Sequence, residues 1–268
     1  MSRARESESR NVRQMVINVG DYLYFWGDHE GSRDFAQRTY EVWREKFGED
    51  DQQTLLLGRN LWYVMWRMGW YRECSELSQR MLSVVQRMES EGEEQLLSVL
   101  GQVASDRRSL GDYHGALEIA RDVQERAVRD YGEDDPLTLN HTHNLALALR
   151  ICGSPRRAIE MDEQTWRRNV VLFGEESYDG MLSEMAVALD RRDAGEYAAS
   201  ARMLEDLWAK YRRVVGEMNP HTLRAAARLG SSLRKAGDHA RAIEMSRYAR
   251  KALTERYGSA ARTRSSPR

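Results

Sequence analysis

Six histidines, two cysteines and one Ser-x-x-Lys sequence are the residues of this 268-residue chain best suited to acid–base or covalent chemistry. None stands in a catalytic pattern. His29, His114, His141, His143, His221 and His239 fall mostly at expected turns and helix starts. His141 and His143 lie two apart on an expected helix, so they point to different sides and do not share a metal. No HExxH, GxSxG, GxGxxG or GxxxxGK[ST] motif occurs. Ser232-Leu233-Arg234-Lys235 spells SxxK inside an expected helix, without the accompanying motifs that would make its serine a nucleophile. Cys74 and Cys152 belong to no CxxC pattern, which fits a reducing compartment and no disulfide framework. The many paired carboxylates are assigned to caps and solvated helix faces. These residues predict no enzyme, no metal and no cofactor.

Composition leaves binding as the remaining function. Charged residues make up 31% of the chain, yet the formal net charge is −1, which argues against a dedicated nucleic-acid binder. Of the 41 Lys and Arg residues only Lys46, Lys210, Lys235 and Lys251 are lysines, leaving 37 arginines, a bias typical of a GC-rich bacterial genome. The first residues, MSRARESESR, hold no apolar core of a signal peptide, and no apolar run reaches membrane-spanning length. A cytoplasmic protein without membrane attachment is expected.

The elements that must position any binding residue come from a repeat. Glycines recur every 42 residues at Gly27, Gly69, Gly111, Gly153, Gly195 and Gly237. A second series holds Gly48, Gly132, Gly174, Gly216 and Gly258, with Ser90 in the missing place. Five residues after each first-series glycine stand Ser32, Cys74, Ala116, Ala158, Ser200 and Ala242, small side chains that let two helices approach closely. A buried stripe is expected from two apolar columns. One is Val19, Leu61, Val103, Leu145, Val187 and Leu229; the other is Trp26, Met68, Leu110, Cys152, Ala194 and Ala236. Asp51, Asp135-Pro136 and Asn219-Pro220 supply N-caps, and the first-series glycines end the first helix of each pair. The spacing therefore predicts repeats at about 9–48, 49–90, 91–132, 133–174, 175–216 and 217–258, between a flexible polar start (1–8) and a disordered tail (259–268). The third repeat lacks the proline, so its first helix is expected to start differently.

Gly132-Glu133-Asp134-Asp135-Pro136 with Thr138-Leu139, Asn144-Leu145-Ala146, and Gly111-Asp112-Tyr113 with Ala116 carry a resemblance to a known family. The pattern resembles the 42-residue tetratricopeptide repeat of the kinesin-light-chain type, over roughly residues 9 to 258, with an actinobacterial source implied. The resemblance implies an all-α fold, a right-handed α-solenoid of six antiparallel helix pairs, with the first helix of each pair lining a concave groove that binds protein or peptide. It equally fits two other settings: a sensor or autoinhibitory array of a larger STAND-type regulator, or an accessory of a peptide-modification system.

Three sets of residues on those first helices are candidates for the groove. Asn18, Asn60, Gln102 and Asn144 form an amide column able to donate to and accept from an extended peptide backbone, or else to tie neighbouring repeats together. Arg59 lies beside it. Three residues before each glycine stand Tyr24, Trp66, Arg108, Arg150, Arg192 and Arg234; the guanidinium groups of the four arginines suit carboxylates and phosphates of a partner, or else pair with nearby Asp and Glu. Tyr24, Tyr63 and Trp66 offer an aromatic anchor, while Trp26 and Trp62 are expected in the core. The expected partner is a protein or peptide with acidic and aromatic or apolar groups. End-to-end dimerisation is also open, through a last helix on which Tyr248, Ala249, Ala252, Leu253 and Tyr257 are expected to stay partly uncovered.

Overall fold

The computed structural model describes residues 2–25, 28–88 and 92–257, with side chains over 10–24, 28–88 and 92–255. Twelve helices and no strand occur among them. They divide into two units, residues 1–130 and 131–268. The first holds α1 (Ser2–Phe25), α2 (His29–Phe47), α3 (Gln52–Arg67), α4 (Tyr71–Val85), α5 (Glu93–Ser109) and α6 (Tyr113–Tyr131). The second holds α7 (Pro136–Ile151), α8 (Pro155–Phe173), α9 (Tyr178–Asp193), α10 (Tyr197–Val215), α11 (Pro220–Lys235) and α12 (His239–Tyr257). Each unit is an α-solenoid segment of three consecutive helix pairs, odd-numbered helix first. Trp26, Gly27, Ser90, Gly258 and the tail 259–268 lie outside the described residues.

Local chemistry sets these boundaries. The side chains of Asp51, Asp135 and Asn219 accept from the backbone N–H of Thr54, Leu137 and His221 at 2.9, 2.8 and 2.9 Å, capping α3, α7 and α11. Lacking such a cap, α5 starts from Gly92 with no side-chain hydrogen bond. The turn inside each pair from the second on takes a left-handed glycine: Gly153 has φ 87°, and Ser154 N–H donates back to Leu149 O at 2.8 Å, closing α7.

The small column lies where the paired helices cross. Ser32, Cys74, Ala116, Ala158, Ser200 and Ala242 are all buried. Ser32 Oγ donates to Gly20 O at 2.9 Å, and Cys74 Sγ sits 3.4 Å from Trp62 O. Ala158→Leu is therefore expected to destabilise the second unit by about 1–3 kcal/mol through overpacking. The same change at Val171, which is 85% exposed, should be near neutral. Urea denaturation of both variants checks this.

The stripe departs from expectation. Leu61, Val103, Leu145, Val187 and Leu229 are buried, but Val19 is exposed on α1, which packs only on α2 and α3 among the described helices. The column just before the glycine is not core: Leu110 and Ala236 are exposed, and Met68, Cys152 and Ala194 are half-buried. Those residues are the C-caps, past the last full turn, so their side chains leave the interhelical seam. The core uses the start of each helix instead, at Leu55, Leu97, Leu139, Met181 and Leu223. On α12, Ala249 and Ala252 are buried, contrary to expectation, and Leu253 is exposed; the Tyr257 side chain lies outside the described residues. No described helix is long and apolar enough to cross a membrane.

Candidate functional site

The odd-numbered helices of the first unit bring three predicted aromatics near one another. The Tyr24 and Tyr63 rings meet edge to face with centroids 5.1 Å apart, and Tyr63 remains 37% exposed. Trp66 stacks on Trp62 at 6.1 Å, and its indole N–H donates to Ser109 Oγ at 3.0 Å. Trp62 is core, as expected: it is buried and its N–H donates to both oxygens of Asp106 at 3.0 and 3.1 Å.

The amides of this unit partly tie helices together. Asn60 Nδ2 donates to Asp21 Oδ1 at 3.0 Å, from α3 to α1, and Gln102 Nε2 donates to Arg59 O at 3.4 Å, from α5 to α3. Asn18 accepts from Gln14 on its own helix at 3.1 Å and is exposed. Arg59 lines a pocket of about 200 Å³ with Arg10, Gln14, Gln53, Leu56 and Glu94. Burial holds its guanidinium below its ordinary range, against the pull of Glu94.

In the second unit two of the predicted arginines, Arg150 and Arg192, have internal partners. Arg150 reaches from α7 to α9, with one guanidinium nitrogen 2.7 Å from Asp190 Oδ1 and another 3.4 Å from Asp193. Arg192 bonds Asp193 Oδ1 at 2.9 Å. Arg234 is exposed, while Arg108, in the first unit, is half-buried. Asn144 Nδ2 donates to Asn140 Oδ1 at 3.2 Å within α7.

The carboxylates are the main correction. Asp106, Asp162, Asp190 and Glu184 are buried, not in caps or on solvated faces. Each sits where a polar partner crosses a helix seam. Ser78 Oγ donates to Asp106 Oδ2 at 2.6 Å, and His143 Nδ1 lies 3.1 Å from Asp162 Oδ1. Burial and the neighbouring Asp162 carboxylate push Asp190 up to about 8, against Arg150. Asp106 rises to about 6, mainly through burial, against its bonds from Ser78 and Trp62. A signal for them exists in the repeat: Asp106 and Asp190 share the position five before the glycine, two periods apart, where Val64 and Ala148 stand in other copies.

Several of the remaining reactive groups are buried or engaged. Ser232 Oγ is buried against Ser200 Oγ at 2.9 Å, and Lys235 lies over the Tyr197 ring at 5.5 Å. Burial raises the Cys74 thiol far above its ordinary range, so it is a poor nucleophile. His141 is buried, whereas His143 faces Asp162 across the pair. Among the described residues no cluster of three or more His, Cys, Asp or Glu could hold a metal.

Residues 95–167 match the tetratricopeptide repeat family. No curated protein matches the chain significantly. Among solved structures, the fold resembles kinesin light chain tetratricopeptide-like repeats from Podosopora anserina, with 19% identity, TM-score 0.58, and coverage of 76% of this chain and 97% of that one. It also resembles Bacillus thuringiensis PlcR in complex with the peptide PapR7 and DNA, at 13% identity and TM-score 0.64 over 79% of this chain and 74% of that one. The Rap conjugation gene regulator of plasmid pLS20, in complex with a Phr peptide, is similar at 14% identity and TM-score 0.62, covering 97% of this chain and 79% of that one. At such identities the likeness is one of fold.

Proposed function

We propose that this tetratricopeptide-repeat chain is a non-catalytic scaffold that binds an extended peptide segment of another protein along the odd-numbered helices of its first unit. The observation that carries the reading is the Tyr24–Tyr63 pair, with Tyr63 exposed and the amides of Asn18 and Asn60 on the same two helices. A rigid aromatic pair can seat one apolar or aromatic side chain of the segment, and the amides can pair with its backbone. Supporting it, solved structures of two proteins of similar fold hold peptides. Acidic anchors play a smaller part than the arginine column predicts, because Arg150 and Arg192 already hold Asp190 and Asp193.

Selection of random linear peptides displayed on phage tests the reading. Wild type is expected to enrich peptides with an aromatic or large apolar anchor, and Tyr63→Ala with Asn60→Ala to weaken them about tenfold or more, a loss of at least ~1.4 kcal/mol. Failure of the folded wild type to select any linear peptide, or unchanged affinity in the double variant, overturns it.

A further inference from the structure

Within each unit, a fixed set of positions receives the first helix of the following pair. Counted from the glycine that closes a pair's first helix, they lie seven and three residues before it and five and nine after it. Their partners stand five and two residues before the next such glycine. Thus Trp62 and Ser78 meet Asp106, and Trp66 meets Ser109. Likewise Arg150 meets Asp190 and Asp193, and Ser200 meets Ser232.

On α11 and α12 the same positions are Gly230, Arg234, Ala242 and Ser246, and they line an open groove of about 850 Å³. No described helix occupies it. Its floor is small and apolar, with Ile243 52% exposed. Its rim is cationic: Arg234, Arg247 and Arg250 are exposed, no acidic residue joins the lining, and none of the three has an ion-pair partner among the described residues.

We propose that this groove docks an acidic amphipathic helix of a partner protein. The helix is seated as α9 is seated on α7 and α8. Two carboxylates three residues apart, spaced like Asp190 and Asp193, reach Arg234 and its cationic neighbours, while small apolar side chains face Gly230 and Ala242. Charge decides the occupant. Residues 258–268 of the chain itself, GSAARTRSSPR, carry three arginines and no acid. A second copy meeting this groove face to face would set arginine against arginine. The inference is independent of the aromatic surface on the first unit.

The probe is a labelled peptide with the α9 sequence Tyr178–Asp193 carrying Arg191→Ala and Arg192→Ala, titrated into the full chain and followed by anisotropy. Saturable, salt-sensitive binding is expected, weakened on the order of tenfold by Arg234→Glu with Arg247→Glu. A matching loss is expected for a peptide carrying Asp190→Asn and Asp193→Asn. Should the charge reversal disturb folding, Arg234→Gln with Arg247→Gln is the substitute, with circular dichroism as the check. No saturable binding up to about 1 mM, or equal binding by folded variants, overturns the proposal. So does a sedimenting dimer that Arg234→Glu abolishes, since the occupant would then be a second copy.

Discussion

Lys210→Met is expected to destabilise the second unit by about 3–5 kcal/mol at pH 8, because it strips a buried carboxylate of its counter-charge. Lys210 Nζ donates to Glu184 at 2.7 Å and to Glu175 at 2.9 Å, bridging α10 to α9 and to the turn before it. Burial alone would lower the ammonium; the two carboxylates outweigh it and hold Lys210 above its ordinary range. Glu184 is pushed up by burial even with Lys210 present, so without it the carboxyl would take up a proton to stay folded. A folded-state shift upward stabilises below the unfolded value and is lost as pH rises through the folded one. The deficit of the methionine variant should accordingly be smaller at pH 5 than at pH 8. Adding Glu184→Leu should recover most of it, since neither charge then remains to be desolvated. Urea titrations at both pH values decide the matter; a single variant within about 1 kcal/mol of wild type at pH 8 would show that solvent reaches Glu184.

A second expectation concerns the wild type. Asp190, raised to about 8, keeps a proton in the folded state that the unfolded chain has already released. Between about pH 4 and pH 8 the unfolded state binds fewer protons, so stability falls as pH rises, by about 1.4 kcal/mol per pH unit for one such group. The groups around it are Asp162, Arg150, Asp193 and, through Asp162, His143. Asp190→Asn should flatten this slope between pH 5 and pH 7.5 and leave the variant more stable than wild type at pH 8. Asp106→Asn is a useful contrast: with Asp106 raised only to about 6, its share of the slope should end near that pH. Denaturation midpoints measured across the range test both; a parallel slope in the asparagine-190 variant would place the titrating proton elsewhere.

Much of the fold was readable because it repeats. Glycine is needed wherever the chain turns left-handed, and a small residue wherever two helices cross, so both columns announced themselves at Gly153 and Ala158. The caps at Asp51, Asp135 and Asn219 were readable for the same local reason. The apolar column one before the glycine was misleading, because hydrophobicity alone does not distinguish the last helical turn from the cap beyond it. Candidate binding residues were found by column but not by environment. Arg150 and Arg192 occupy the same place in the repeat as Arg234, yet only the first two meet an aspartate on or near α9. That difference depends on the pairing of residues 40 apart in sequence for Arg150 and Asp190, which no single repeat displays.

A chain whose turns all fall at the same offset invites gain or loss of whole 42-residue blocks, each joint being geometrically like the next. The buried polar pairs act against that freedom as a lock-and-key code. Excising residues 133–174 would, by the same offsets, put Arg108 in the place of Arg150 and Ala120 in that of Asp162, so Asp190 would keep an arginine. Excising residues 49–90 is different: it removes Trp62 and Ser78, both partners of Asp106, and puts Gly20 and Ala36 in their places. Shuffling by recombination is thus open at the level of backbone shape and closed at particular seams. The order of the copies, and not merely their number, is written into the interior.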